Sequence, residues 1–334
     1  MGYWRIGIDE LAGSRFAISP LTETVAALTT LAGRDPIPGL RHWANQNRSA
    51  YRERLAADPV AEAFVEAGVR PRWIANLLSL PPQRGDRTFH DELRRVREIP
   101  PAVARRDLAV DGRLAPPLRS REVVSRAADL LEWVWTETVR PDWPRRRQIF
   151  EADVVTRSAK LGAGGWASAL EGMRAGMRWL GDGRLQINAY NNQPRTITGA
   201  ELLFIPTTSS RGWVGWEEPS RYAITYPCAG MLADDEPPTV GPPTLAQLIG
   251  PVRAQILVAL AEPRSTSQLV ALSGYGLGSV GGHLKVLRDA GVVQRHRAGR
   301  SVLYRRTPLG DRLVGRGTPR SNATAVQPRG RTNR

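Results

Sequence analysis

The chain has a single cysteine, Cys228, in 334 residues. An intramolecular disulfide is therefore excluded, and so is a cysteine-rich zinc or iron–sulfur site. Histidine is almost as scarce. His42, His90, His283 and His296 are scattered and make no metal-ligand spacing. No run of about 18 apolar residues occurs, so no membrane span is expected. The segment Met1 to Glu10 lacks the basic start and apolar run of a signal peptide. The expectation is a cytoplasmic chain with no metal, no cofactor and no membrane contact. No Ser-His-Asp, paired-carboxylate or HExxH pattern is present, so no catalytic residue is assigned. The Gly-rich stretch Leu161–Trp166 lacks the Lys-Ser/Thr ending and preceding strand of a phosphate loop, and reads as a helix start.

What is plentiful is arginine and tryptophan. The net charge is +15. Residues 1–240 carry 32 basic against 29 acidic side chains, whereas residues 245–315 carry 10 against 3. The last 19 residues, 316–334, add five arginines and no acid. The excess is thus concentrated in the last quarter, as expected of a segment that meets a polyanion. Arginine-rich composition alone is equally compatible with an ordinary solvated surface. All ten tryptophans precede residue 234. They suit either an aromatic pocket for an organic ligand or plain core packing.

At 41% hydrophobic residues the chain is long enough and apolar enough for two or more domains. The segment 234–244 is acidic and then rich in Pro and Gly, which marks a linker. The tail 316–334 has almost no apolar residues and reads as disordered. The predicted organisation is a domain over 1–233, the linker, a module over 245–315, and the basic tail. In the first domain Pro20–Leu31, Val60–Leu80 (interrupted at Gly68 and Pro71), Arg119–Val139, Arg145–Leu161 and Trp166–Leu180 have helical spacing. Tyr3–Ile8, Leu185–Tyr190, Leu202–Ile205 and Tyr222–Tyr226 read as strands. The fold class is α+β: a mostly helical N-terminal domain with a small sheet near its end, followed by a winged helix-turn-helix.

The C-terminal module carries the functional reading. Gly250-Pro251 suits a cap and first helical residue, and Ile256, Leu257 and Leu260 supply an apolar face. Ser265, followed three residues later by Gln268, has the form of a capping box. A further helix runs from about Gly278 to Ala290, with Val280, Leu284 and Leu287 inward and Lys285 and Arg288 outward. Gly291 ends it. Val292–His296 and Ser301–Arg305 then read as a hairpin wing that brings Arg295, Arg297, Arg300 and Arg305 near one edge. Two helices joined by a short turn, followed by a basic hairpin, form a winged helix-turn-helix. The candidate DNA contacts are Ser279, His283, Lys285, Arg288, Arg295, Arg297, Arg300 and Arg305. His283 suits either a phosphate contact or packing.

Residues 245–314 resemble the winged helix of ArsR-like bacterial repressors. The residues that carry the likeness are Pro251-Val252-Arg253, Ser265–Leu269, Val280–Val293 and Gly299–Tyr304. Arg15–Thr24, Glu151–Val154 and Tyr226-Pro227 resemble the N-terminal region of long actinobacterial members of this group. The likeness implies a homodimer that binds duplex operator DNA as a repressor, with a small molecule as candidate effector. Two departures are visible. The helix Gln268–Leu272 lacks the paired thiols of metal-sensing members, which excludes metal sensing by that route. Gly281 and Gly282 stand where members often carry a polar side chain. They cost about 1 kcal/mol each relative to alanine and offer no base contact. Two rival readings remain: an enzyme or ligand-binding domain with an appended winged helix, or a winged helix used for protein interaction. A polar cluster in a pocket would favour the first and an acidic recognition face the second.

Overall fold

The computed structural model describes residues 2–34, 40–71, 73–109, 112–188, 193–228, 243–261, 263–273, 275, 277–298 and 301–315. The chain begins with β1 (Gly2–Ile6), α1 (Ile8–Ala12) and β2 (Arg15–Phe16). Helices α2 (Pro20–Leu31), α3 (Arg41–Ala56) and α4 (Pro59–Gly68) follow. A short hairpin, β3 (Val69–Arg70) and β4 (Trp73–Ile74), precedes α5 (Phe89–Arg97), α6 (Pro101–Leu108) and α7 (Val123–Val134). The long α8 (Trp143–Leu170) leads into β5 (Arg178–Gly181), β6 (Arg184–Asn188), β7 (Arg195–Ile197), β8 (Glu201–Thr207), β9 (Val214–Glu217) and β10 (Arg221–Pro227). The C-terminal module comprises α9 (Pro243–Ile249), α10 (Pro251–Ala259), β11 (Arg264–Ser265), α11 (Thr266–Ser273), α12 (Leu277–Asp289), β12 (Val293–Ala298), β13 (Ser301–Arg306) and α13 (Pro308–Gly315). The fold is α+β with a C-terminal winged helix-turn-helix. Among the described residues no helix is long and apolar enough to cross a membrane.

The helical layer is built around α2. The Ser19 hydroxyl accepts from the Thr22 N–H at 3.0 Å and so starts that helix. All twelve of its residues are buried. Its threonines satisfy themselves locally: Thr24 donates to the Pro20 carbonyl and Thr29 to that of Ala26. Glu23, fully buried, cannot do this. It pairs at 2.5 Å with the equally buried Arg146 of α8 and accepts from the Thr207 and Thr208 hydroxyls and the Thr208 N–H. Leu28, Phe64, Phe89, Leu130 and Leu131 pack around α2 in one core. Glu92 of α5 closes the start of α2, accepting from the Ser19 hydroxyl and the Leu21 N–H, both at 2.7 Å. Burial pushes its pKa up to about 8 despite these bonds.

Two four-stranded sheets follow the helical layer in space. One has the order β5-β6-β1-β7, the other β2-β8-β10-β9. In the second, β2, β8 and β10 run parallel and β9 is antiparallel. Trp4, Ile6, Leu185 and Ile187 of the first sheet share a core with Leu202, Phe204, Ile224 and Tyr226 of the second. Leu203, Ile205 and Ala223 are buried on the other face, so β8 and β10 have no solvent side.

The sheets are larger than the sequence predicts, because β1 from the start of the chain is an inner strand. A second correction concerns Trp166–Leu180. The helix ends at Leu170 and Arg178–Gly181 is a strand, since Gly172 and Gly176 turn the chain at φ +63° and +75°. The Gly-rich stretch kinks α8 at Gly164 and Gly165 rather than opening an element of its own. Val60–Leu80 stops being helical at Gly68, where the interruption was expected. Much of the linker and all of the tail lie outside the described residues, and α9 already begins at Pro243. The tryptophans mostly pack. Trp135 stacks on Phe89 with centroids 4.8 Å apart, and Trp4 and Trp213 are buried. Cys228 is buried beside Leu40, Ile149 and Phe150.

Candidate nucleic-acid interface

Local signals position the helices of the C-terminal module. Gly250, at φ +85°, caps α10 and Pro251 fills its first position. The Ser265 N–H donates to the Gln268 side chain at 2.8 Å, and the Gln268 N–H donates back to the Ser265 hydroxyl at 3.2 Å. This is the reciprocal box expected from the residues, and it sets where α11 begins. α12 ends at Gly291, whose φ of +72° lets the Val292 N–H reach the Leu287 carbonyl at 3.1 Å. The chain then turns directly into β12. A methyl group on Gly310 would lie 2.3 Å from the Val292 carbonyl oxygen, so α13 sits hard against the base of the wing.

α12 presents two faces. Val280, Leu284 and Leu287 are buried against Leu257, Leu260 and Leu269. Ser279, Gly282, Lys285, Val286 and Asp289 form the solvent stripe at helical spacing. His283 and Arg288 are half-buried at its margin. Arg288 donates to its neighbour Asp289 at 3.0 Å, so its charge is partly answered within the chain. A methyl group added at Gly281 or Gly282 meets nothing within 4 Å. Packing inside the chain therefore does not require either glycine.

The wing is a two-stranded antiparallel ribbon with β11 on its other side, in the order β11-β13-β12. Arg295 is paired across the ribbon with Tyr304 and Arg297 with Val302. Directly opposed residues share a face and neighbours alternate. Arg295 and Arg297 therefore share one face with Tyr304 and Val302, whereas Arg305 belongs to the other with His296 and Gln294. This corrects the expectation that the wing arginines line a single edge. Arg300 lies outside the described residues.

Basic residues in the module fall into two groups. Arg253 and Arg264 donate back to the Ile249 and Ala259 carbonyls, and Arg306 pairs with Asp311 at 2.8 Å. Lys285, Arg295 and Arg297 are exposed and have no carboxylate partner among the described residues. The sequence reading also passed over two exposed residues. Val302 shares the wing face of Arg297, and Tyr275 lies just before α12. An apolar side chain in a polar hairpin and an aromatic in a helix-turn-helix turn were the available signals. Among the described residues no three His, Cys, Asp or Glu side chains are grouped to hold a metal.

No curated protein and no solved structure matches the chain. Residues 250–295 match the family model of the bacterial regulatory protein, arsR family. That stretch spans α10, α11, α12 and the first part of the wing, and leaves the N-terminal domain uncovered. The C-terminal module is thus similar to the helix-turn-helix of bacterial arsR-family regulators, which points to DNA-binding transcriptional regulation.

Proposed function

We propose that this chain is a cytoplasmic, non-enzymatic transcriptional repressor that binds duplex operator DNA as a homodimer. In this reading α12 enters the major groove and the wing face of Arg295 and Arg297 lies along the phosphates. The observation that carries it is the set of exposed cations, Lys285, Arg295 and Arg297, left without carboxylate partners while other basic residues of the module are engaged. Exposed Leu248 on α9 and Leu309 on α13 supply apolar surface for a second copy. Two such copies would read half-sites about 34–36 Å apart. The N-terminal domain would hold the dimer, receive a signal, or do both, with an effector relieving repression.

A mobility-shift titration against the upstream region of its own gene tests this. Retardation should weaken by at least about 10-fold between 50 and 200 mM salt. Arg295→Ala combined with Arg297→Ala should weaken binding to every duplex alike and lower the salt slope by about 2. An absence of retardation on any duplex rejects the reading, and unchanged affinity of the double variant rejects the wing assignment.

A further inference from the structure

A cleft of about 490 Å³ opens on the N-terminal domain, far along the chain from the winged helix. Its walls are the edge strand β2, the Pro82–Asp86 loop and the middle of α8. Phe16, Ala17, Ile18, Pro82, Val154 and Val155 make most of the lining apolar. These are largely the segments Arg15–Thr24 and Glu151–Val154 that carry the N-terminal resemblance. They lie about 130 residues apart in sequence, yet they face one space.

The polar part of the cleft is unbalanced. Arg15 and Arg84 both donate to the same oxygen, Oε1 of Glu201, at 2.7 and 3.1 Å. Burial alone would raise the Glu201 pKa, but the hydrogen bonds and charge of the two arginines outweigh it and hold the carboxyl below its ordinary value. Two guanidinium groups therefore share one carboxylate. The buried Nη2 of Arg15 has no hydrogen-bond partner. The other acids of the lining are already engaged: Asp86 with Arg95 at 3.2 Å, and Glu151 with Arg147 at 2.9 Å. One positive charge and several donors remain beside an apolar wall. An unpaired buried donor costs about 1–3 kcal/mol, which a ligand anion would recover.

We propose that this cleft binds a singly charged organic acid, its carboxylate between Arg15 and Arg84 and its apolar body against Phe16, Ile18, Val154 and Val155. The volume lies within the range of small-molecule sites. Inorganic phosphate is the poorer fit, because it carries more charge than the site leaves free and buries none of the apolar lining. The cleft supplies an effector site to the proposed regulator and rests on that reading only for its regulatory consequence. α8 also touches α11 and β11, so a ligand seated against Val154 and Val155 meets the element that abuts the helix-turn-helix.

Calorimetric titration of the full chain, without DNA, tests the site. The probes are benzoate, 1-naphthoate, indole-3-acetate and decanoate, each compared with its neutral primary amide. At least one acid should saturate the protein, with its amide bound about tenfold more weakly or worse. Arg84→Gln should cost about tenfold in affinity for that acid, while Arg84→Lys recovers part of it. Arg84 is largely exposed, so its variants should melt as the parent does. The site is overturned if no acid saturates the protein, if the amides bind as well as the acids, or if Arg84→Gln leaves affinity unchanged. DNA retardation by the same preparation separates the two proposals. Retardation without acid binding overturns the cleft alone, and acid binding without retardation upholds the cleft and overturns the regulator.

Discussion

The two halves of the molecule use arginine in opposite ways. In the N-terminal domain arginines are clamped by carboxylates: Arg146 by Glu23, Arg157 by Asp153, Arg95 by Asp86 and Glu217, and Arg97 by Asp129 and Glu132. Arg157 also lies over the ring of Tyr226 at 4.5 Å. In the winged helix Lys285, Arg295 and Arg297 face solvent with no such partner. A count of basic residues does not separate these roles, but their pairing does. A charge neutralised inside the chain has been spent on folding, and one left in water remains available to a polyanion.

The contrast can be broken most forcefully at Glu23. Glu23→Ala strands the buried guanidinium of Arg146 and should cost about 3–5 kcal/mol in urea denaturation. A loss below about 1 kcal/mol would show that the pair contributes little. The wing makes the opposite prediction. The Arg295→Ala, Arg297→Ala double variant should keep its stability within about 0.5 kcal/mol while losing DNA affinity.

Glu92 sharpens the comparison next, as a buried acid closed by neutral donors. Its folded pKa of about 8 lies above the unfolded value of about 4.3, so the native state holds the proton more tightly. Its contribution to stability is full below pH about 4 and falls by up to about 1.4 kcal/mol per pH unit until about pH 8. Glu92→Gln should flatten that slope and raise stability at pH 8 and above. An unchanged profile would mean that Glu92 is ionised in the native state.

The smallest effect belongs to Gly282→Ala. It should stabilise the module by about 1 kcal/mol, since the position is helical and open. If the backbone of α12 lies close to a base edge, the same variant should lose DNA affinity. Gain in stability with unchanged affinity would place readout elsewhere on the helix or in the wing.

The winged helix was legible because its signals are short-range. The Ser265–Gln268 box, the Gly250-Pro251 start and the Gly291 stop each act within a few residues, and the structure has all of them. The parity of the wing arginines was open to reading as well. With only residues 299 and 300 between the paired Ala298 and Ser301, the register follows, and with it the separation of Arg305 from Arg295 and Arg297. Glu23 was not legible. An acid in a helix with polar neighbours looks like surface, and only a partner 123 residues away makes it a core residue. The cleft was hidden for the same reason: Arg15, Arg84 and Glu201 are brought together by the fold alone.

The position of β1 has a kinetic consequence. It is an inner strand whose neighbours, β6 and β7, are synthesised about 180 residues later. During translation its backbone donors and acceptors, and the apolar edges of Trp4 and Ile6, wait without their partners while the helices around α2 form. The first sheet is therefore the last part of this domain to close. Conditions that slow synthesis should expose that strand to aggregation or to chaperones well before they affect the winged helix.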